Sequence, residues 1–175
     1  MSQSLCTDDL KRKVVEKYSL MVYRLAFALM KNKYDADDIH QEVFVRYICK
    51  QPKFESEEHE KAWFLRVTIN LSKNWWKTAW RQKVVSMSEL ADAGEGRETH
   101  EGMGDGFTEK AAENEMLIET VKQLPKKYRI VIHLFYFEEL SIEEISNVLQ
   151  LKQSTVRTHL TRARQRLQNL WKEDS

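Results

Sequence analysis

Glycine and proline are scarce in this chain of 175 residues, and they are unevenly placed. All five glycines fall between Gly94 and Gly106, and the only prolines are Pro52 and Pro125. Elsewhere little interrupts a helix. Cysteine is limited to Cys6 and Cys49. That excludes a disulfide framework and any paired-cysteine metal motif, and it suits a reducing cytosol. No apolar run approaches the ~18 residues needed to span a membrane. The opening residues, Met1 to Leu10, include Asp8 and Asp9 and lack the apolar centre of a signal peptide. Alternating runs long enough for a sheet are absent, so the expected fold is all-α. Acid is missing from two long stretches, Lys61 to Ser88 and Ile145 to Lys172.

The formal net charge of +1 hides a strong pattern. Residues 1–85 carry +5, residues 86–109 carry −6 and residues 110–175 carry +2. Two basic modules around an acidic connector suit a protein that handles nucleic acid. Because the connector also holds every glycine, the chain reads as two small helical domains, 1–84 and 110–175, joined by a flexible linker at 85–109. Its flexible part, about Val85 to Phe107 or roughly 22 residues of coil, spans roughly 26 Å root-mean-square, against ~34–36 Å for one turn of DNA.

Leu140 to Leu167 reads as a helix-turn-helix. Ser141 and Glu144 have the spacing of a capping box. Ile142, Ile145, Val148 and Leu149 then form one apolar face, and a short break follows at Gln150 to Lys152. In the second helix, Val156, Leu160, Ala163 and Leu167 are spaced for burial. The remaining face carries Arg157, Thr158, Thr161, Arg162, Arg164 and Arg166. A helix of that kind fits the major groove, where Arg and Thr reach base edges and phosphates.

The other acid-free stretch is built differently. Lys61, Arg66, Lys73, Lys77, Arg81 and Lys83 alternate with Trp63, Trp75, Trp76 and Trp80. Charges that follow a backbone, interleaved with rings on which unstacked bases can lie, suit single-stranded nucleic acid. Each of the four tryptophans is equally suited to packing in a core.

Further helices are expected where apolar residues recur at helical spacing. Val14, Tyr18, Met21, Val22, Leu25 and Leu29 mark one. Ile39, Val43, Phe44, Tyr47 and Ile48 mark a second, with Asp35 as its cap and Asp37 and Asp38 in its first turn. Ala62 to Arg81 is a third, with a possible break near Asn74. Met116, Leu117, Val121 and Leu124 precede Pro125, and Ile130 to Phe137 form a mostly apolar helix before the helix-turn-helix. His40, His59, His100, His133 and His159 show no ligand spacing; only His159 sits where a contact to a DNA backbone is open.

Several stretches together resemble a sigma factor of bacterial RNA polymerase, of the two-domain extracytoplasmic-function (ECF) group. In the first domain these are Asp35-Ala-Asp-Asp38-Ile-His-Gln41-Glu42-Val-Phe44, Ala62-Trp63-Phe64-Leu65-Arg66 and Asn70-Leu-Ser-Lys-Asn74. In the second they are Leu124-Pro125-Lys-Lys-Tyr128-Arg129, Leu140-Ser141-Ile-Glu-Glu144-Ile145, Thr155-Val156-Arg157 and Arg162-Ala163-Arg164. The resemblance covers nearly the whole chain, with both modules in the family's order.

The resemblance implies a promoter-specificity subunit with no catalysis of its own and no cofactor or metal. It implies that Asp38, Gln41 and Glu42 dock on the clamp coiled coil of the polymerase's largest subunit. The opened −10 strand would be bound by Trp63, Arg66, Asn70, Asn74, Trp75, Trp76, Lys77, Trp80 and Arg81. In the second domain Arg157, Thr158 and Thr161 fall at the base-reading positions for the −35 duplex. Lys152, Ser154, Thr155, Arg162 and Arg164 suit its phosphates, which set register and salt dependence. This domain would also rest on the flap of the second-largest subunit. An anti-sigma factor is a further partner common in the family, and the setting would be the cytoplasm.

Two positions depart from the family's pattern. Gln150 stands where the helix-turn-helix usually has glycine, so a left-handed turn there costs more. Lys152 stands where Ser or Pro often opens the recognition helix, and it is a poor cap.

Two other classes compete. A DNA-binding regulator with a sensor or dimerisation domain would bind duplex by itself, but the tryptophan-rich tract and the acidic helix argue against it. A metal-dependent phosphohydrolase would use the carboxylates near Asp35. It lacks histidines at ligand spacing and a second carboxylate cluster.

Overall fold

Where the sequence lacks helix breakers, the computed structural model is helical. It describes residues 2–86 and 117–173, with only the backbone described for 2–6 and 80–86. The chain divides into two compact units, Met1–Thr99 and His100–Ser175. From residue 87 onward the expected linker lies outside the described residues, as does Met116. No strand occurs among the described residues, so the all-α expectation holds.

The first unit packs α1 (Ser2–Met30), α2 (Lys33–Lys50) and α3 (Glu57–Ser86). Tyr18, Val22, Ala26 and Met30 of α1 meet Ala36, Ile39, Val43 and Phe44 of α2 and Phe64 and Leu71 of α3. Tyr18 stacks on Phe64 with ring centroids 4.6 Å apart. Each large apolar side chain buried here contributes about 1.5–3 kcal/mol. Thr68 and Ser72 are also buried, but their hydroxyls donate to the carbonyls of Phe64 and Thr68 one turn back. The core therefore tolerates two polar residues on α3.

Two helix starts differ from the sequence reading. Asn32, not Asp35, caps α2: its side chain accepts from the Asp35 backbone N–H at 2.9 Å. Asp35 closes the first turn by accepting from Asn32 Nδ2. Asp37 and Asp38 consequently sit one turn deeper than expected. Helix α3 begins at Glu57, five residues before Ala62, because Ser56 Oγ accepts from the His59 N–H at 3.1 Å. It passes Asn74 without a break. A single exposed Asn costs a helix under ~1 kcal/mol, too little to end it.

The second unit contains the helical residues 117–122 (α4), α5 (Lys126–Ile132), α6 (Ile142–Leu149) and α7 (Gln153–Glu173). Its core includes Val121, Leu124, Tyr128, Val131, Leu134, Leu140, Ile145, Val148, Val156, Leu160 and Ala163. The apolar segment expected as one helix from Ile130 to Phe137 starts earlier, after Pro125, and then widens. Residues His133–Phe137 form a π turn, closed by the Glu138 N–H on the His133 carbonyl at 3.2 Å. The extra residue per turn moves Tyr136 and Phe137 to the surface while His133 and Leu134 stay buried.

Tight turns are made without glycine. Lys31, Gln51, Glu139 and Gln150 all have positive φ, between 46° and 64°. At Gln150 (φ 56°) the backbone N–H still donates to the Ser146 carbonyl and the side-chain amide to that of Asn147, at 2.7 Å. Hydrogen bonding supports the left-handed turn that was expected to be costly for this residue. Lys152 offers no side-chain cap; its carbonyl accepts from the Val156 N–H at 3.1 Å as α7 begins.

Candidate nucleic-acid interfaces

The helix-turn-helix owes its exposed face to the burial of Val156, Leu160 and Ala163. Positions two before and one, two and five after Val156 turn outward together. Ser154, Arg157, Thr158 and Thr161 thus form one exposed stripe along the first turns of α7. Arg157 reaches Gln153 Oε1 at 3.4 Å. The hydroxyls of Thr158 and Thr161 donate to the carbonyls of Ser154 and Arg157, at 2.9 and 3.0 Å. Their oxygens keep acceptor capacity. Lys152 is exposed beside the stripe, while Thr155 is half-buried.

Arg162 and Arg164 flank this stripe, each beside a tyrosine. Arg162 turns toward α5, where it hydrogen-bonds the Tyr128 hydroxyl. Burial pushes the Tyr128 phenol up, but that hydrogen bond and the charges of Lys127, Arg162 and Arg166 outweigh it and hold the phenol below its usual range. On the other side, Arg164 Nε donates to Tyr136 Oη at 2.7 Å. Arg166, read as part of the basic face, lies over the Tyr128 ring at 5.3 Å. His159 is half-buried, edge-on to Tyr128 at 5.7 Å, so it turns inward from the open position. Burial, then Lys127 and Arg162, lowers its pKa.

In the first unit the three-four spacing of α3 groups Arg66, Asn70, Lys73, Asn74 and Lys77 on one face. Asn70, Lys73, Asn74 and Lys77 are exposed and Arg66 is half-buried. The tryptophans divide. Trp63 shares that face, but its ring is walled by Phe64, Phe54 and Tyr47 at 5.0, 5.9 and 6.2 Å. Trp75 falls across the helix, in the row of Phe64, Thr68 and Leu71, and is 38% exposed. Trp76 packs against the hydrophobic core. The side chains of Trp80 and Arg81 lie outside the described residues.

The outward face of α2 carries Asp38, Gln41 and Glu42 together with exposed Tyr34, Val45 and Ile48. Apolar and acidic groups alternate there, a composition suited to a protein partner. Glu42 pairs with Arg46 at 3.0 Å. The sequence reading put Ile48 on the buried stripe of α2, but it is exposed, as is Val45, which that reading did not single out. Helix phase puts Val45 outside, whereas Ile48 shares the phase of buried Phe44 one turn earlier and only packing near the end of α2 leaves it exposed. Among the described residues, no three His, Cys, Asp or Glu gather as a metal site. No described helix is long and apolar enough to cross a membrane.

Comparison with known proteins matches this division. Residues 14–82 match Sigma-70 region 2 and residues 114–167 match Sigma-70, region 4. The chain is 31% identical to the ECF RNA polymerase sigma factor SigW of Bacillus subtilis (strain 168), over 161 residues that cover 88% of this chain and 84% of that protein. RNA polymerase sigma factor SigV of the same organism is 29% identical, over 87% of this chain and 86% of that protein. Its fold is also like that of the sigma factor RpoE from Bartonella quintana, solved in complex with the anti-sigma factor NepR. The TM-score is 0.72, with 21% identity over 95% of this chain and 99% of that one. Two sigma-70 regions in order, each carrying an exposed basic face, place the chain in its family: it is a member of the ECF group of RNA polymerase sigma factors, transcription-initiation subunits that are not enzymes.

Proposed function

We propose that this protein binds core RNA polymerase and directs initiation at promoters it selects through two separate surfaces. Residues 110–175 read the −35 element as duplex. The observation that carries this is the acid-free stripe of Ser154, Arg157, Thr158 and Thr161, exposed at the start of α7. Arg157, Thr158 and Thr161 reach base edges. Ser154 at the start of the stripe and Lys152, Thr155, Arg162 and Arg164 beside it hold phosphates.

Residues 1–84 hold the opened −10 strand on the α3 face of Arg66, Asn70, Asn74 and Lys77, and Trp63, Trp80 and Arg81 take part in that binding. Amides that hydrogen-bond a flipped base and cations that follow the backbone offset the cost of unpairing. Asp38, Gln41 and Glu42 on α2 dock on the clamp coiled coil of the largest subunit, and the second unit rests on the flap of the second-largest. Residues 85–109 link the two. The protein works in the cytoplasm, and an anti-sigma factor is a partner of the kind captured with the Bartonella quintana protein.

Run-off transcription with purified core polymerase, with and without this protein, on promoter fragments from its own genome tests the reading. Position-specific transcripts that require the protein are expected. Specific duplex binding by the protein alone, with no core binding and no transcript, would overturn it in favour of an ordinary helix-turn-helix regulator.

A further inference from the structure

We infer that the Tyr136 hydroxyl and the Arg164 guanidinium form one composite phosphate-binding subsite on the border of the recognition stripe. The inference rests on the proposed reading of −35 duplex by α7.

The two arginines that border the stripe are held in different ways. Tyr128, beside Arg162, is only 4% exposed. It can position its arginine but has little access to a ligand. Tyr136, beside Arg164, is 52% exposed. The π turn at His133–Phe137 brings Tyr136 to the surface, twenty-eight positions before its partner in the chain.

The chemistry of the contact is directional. Arg164 Nε donates to Tyr136 Oη at 2.7 Å, so the phenol is the acceptor in this pair. Its own O–H remains a donor. Accepting from a cation polarises that O–H and makes it a stronger donor. The guanidinium spends one N–H on the phenol and has four others, in a planar fork suited to phosphate oxygens. It also lies over the rings of Phe135 and Tyr136, at 5.5 and 5.6 Å. Three contacts from two residues of the π turn thus restrain a side chain that would otherwise lose much rotamer freedom on binding. Of the two acids that follow Tyr136 closely, Glu138 is buried, with its carboxylate 3.4 Å from His133 Nε2; Glu139 is exposed. A neutral donor and a cation that converge, one from the π turn and one from α7, fit a single DNA phosphate.

The test uses the holoenzyme, formed from the full chain and core polymerase, on a promoter identified by run-off transcription. Single phosphates around the −35 element are replaced in turn by neutral methylphosphonates, and affinity is measured for wild type, Tyr136→Phe and Arg164→Ala. Tyr136→Phe keeps the ring beneath the guanidinium and removes only the hydroxyl. In wild type, one phosphate should matter at the edge of the element. Both variants should bind the unmodified promoter about 3–10-fold more weakly, whatever the −35 sequence. Both should also have lost sensitivity to that same phosphate. The salt dependence should fall by about one ion for Arg164→Ala and stay unchanged for Tyr136→Phe. If Tyr136→Phe keeps the wild-type response at every phosphate, Tyr136 is a structural neighbour only and the inference is wrong. If wild type is indifferent to every phosphate around the element, the duplex reading itself fails, and the inference with it.

Discussion

Arg129, on α5, donates from Nη1 to the carbonyls of Lys122 and Leu124, at 3.0 and 3.1 Å. These carbonyls lie at the end of α4 and in the turn before Pro125, which has no N–H to offer. The guanidinium is 1% exposed, and burial lowers its pKa to about 10. An arginine in the interior therefore ties α4 to α5.

Arg129→Leu fills much of the same space but leaves both carbonyls without this donor. It should destabilise the second unit by about 2–4 kcal/mol. Urea unfolding of the full chain, followed by circular dichroism, measures this. A transition unchanged from wild type would show that water replaces the guanidinium at no cost.

Adjacent tryptophans on α3 should behave differently. Trp76→Ala removes a ring packed on the core and should cost about 2–4 kcal/mol. Trp75→Ala removes an exposed ring and should cost under ~1 kcal/mol. Thermal melts of both variants test the division. A larger loss for Trp75 would show that the face opposite Asn70 is covered. Asn70→Ala, on the polar face, should leave the melt unchanged and slow promoter opening, read by permanganate footprinting of unpaired thymines.

Arg157→Ala and Arg162→Ala should separate base reading from phosphate contact. Removing Arg157, in the middle of the exposed stripe, should cost about 1–3 kcal/mol on the preferred −35 sequence and little on altered ones. Removing Arg162, on the border beside Tyr128, should weaken all sequences alike and reduce the salt dependence by about one ion. Competition binding by holoenzyme against a panel of −35 variants distinguishes the two. Equal losses for Arg157 across the panel would mark it as a phosphate contact.

Gln150→Gly should stabilise the helix-turn-helix. The left-handed turn costs a non-glycine residue about 1 kcal/mol, partly offset by the entropy of glycine and by the lost bond to Asn147. A net gain of a few tenths of a kcal/mol to about 1 is expected in denaturant unfolding, with no change in −35 preference. A destabilised variant would mean that the Gln150 amide holds the turn more than its backbone strains it.

Acid should weaken the first unit through His40. This ring contacts Ser19 Oγ at 2.9 Å and lies edge-on to Phe44 at 5.0 Å. Burial lowers its pKa below the usual 6.5, against a smaller opposing effect of Asp37. The unfolded chain therefore takes up the proton first as pH falls. Stability is full above about 6.5 and declines as pH drops toward the folded value. Thermal melts between pH 7.5 and about 5 should show the decline, and His40→Gln should flatten part of it. A variant with the same slope as wild type would assign the proton elsewhere.

The sequence by itself determined that the protein is all-α and that its positive charge falls into two segments around an acidic one. Helical periodicity is local, and Val156, Leu160 and Ala163 announce which side of α7 is buried before any partner helix is known. Capping was legible where the pattern was a simple box, as at Ser141 and Glu144, and misplaced at α2, where Asn32 and Asp35 compete for the same role. Tertiary structure decided what periodicity cannot express. Only packing shows that Trp76 meets the core while Trp75, its neighbour, does not, since both fit the same aromatic and basic tract. Only the fold widens His133–Phe137 into a π turn and brings Tyr136 to Arg164, because that contact joins residues far apart in sequence and depends on how α5 and α7 cross.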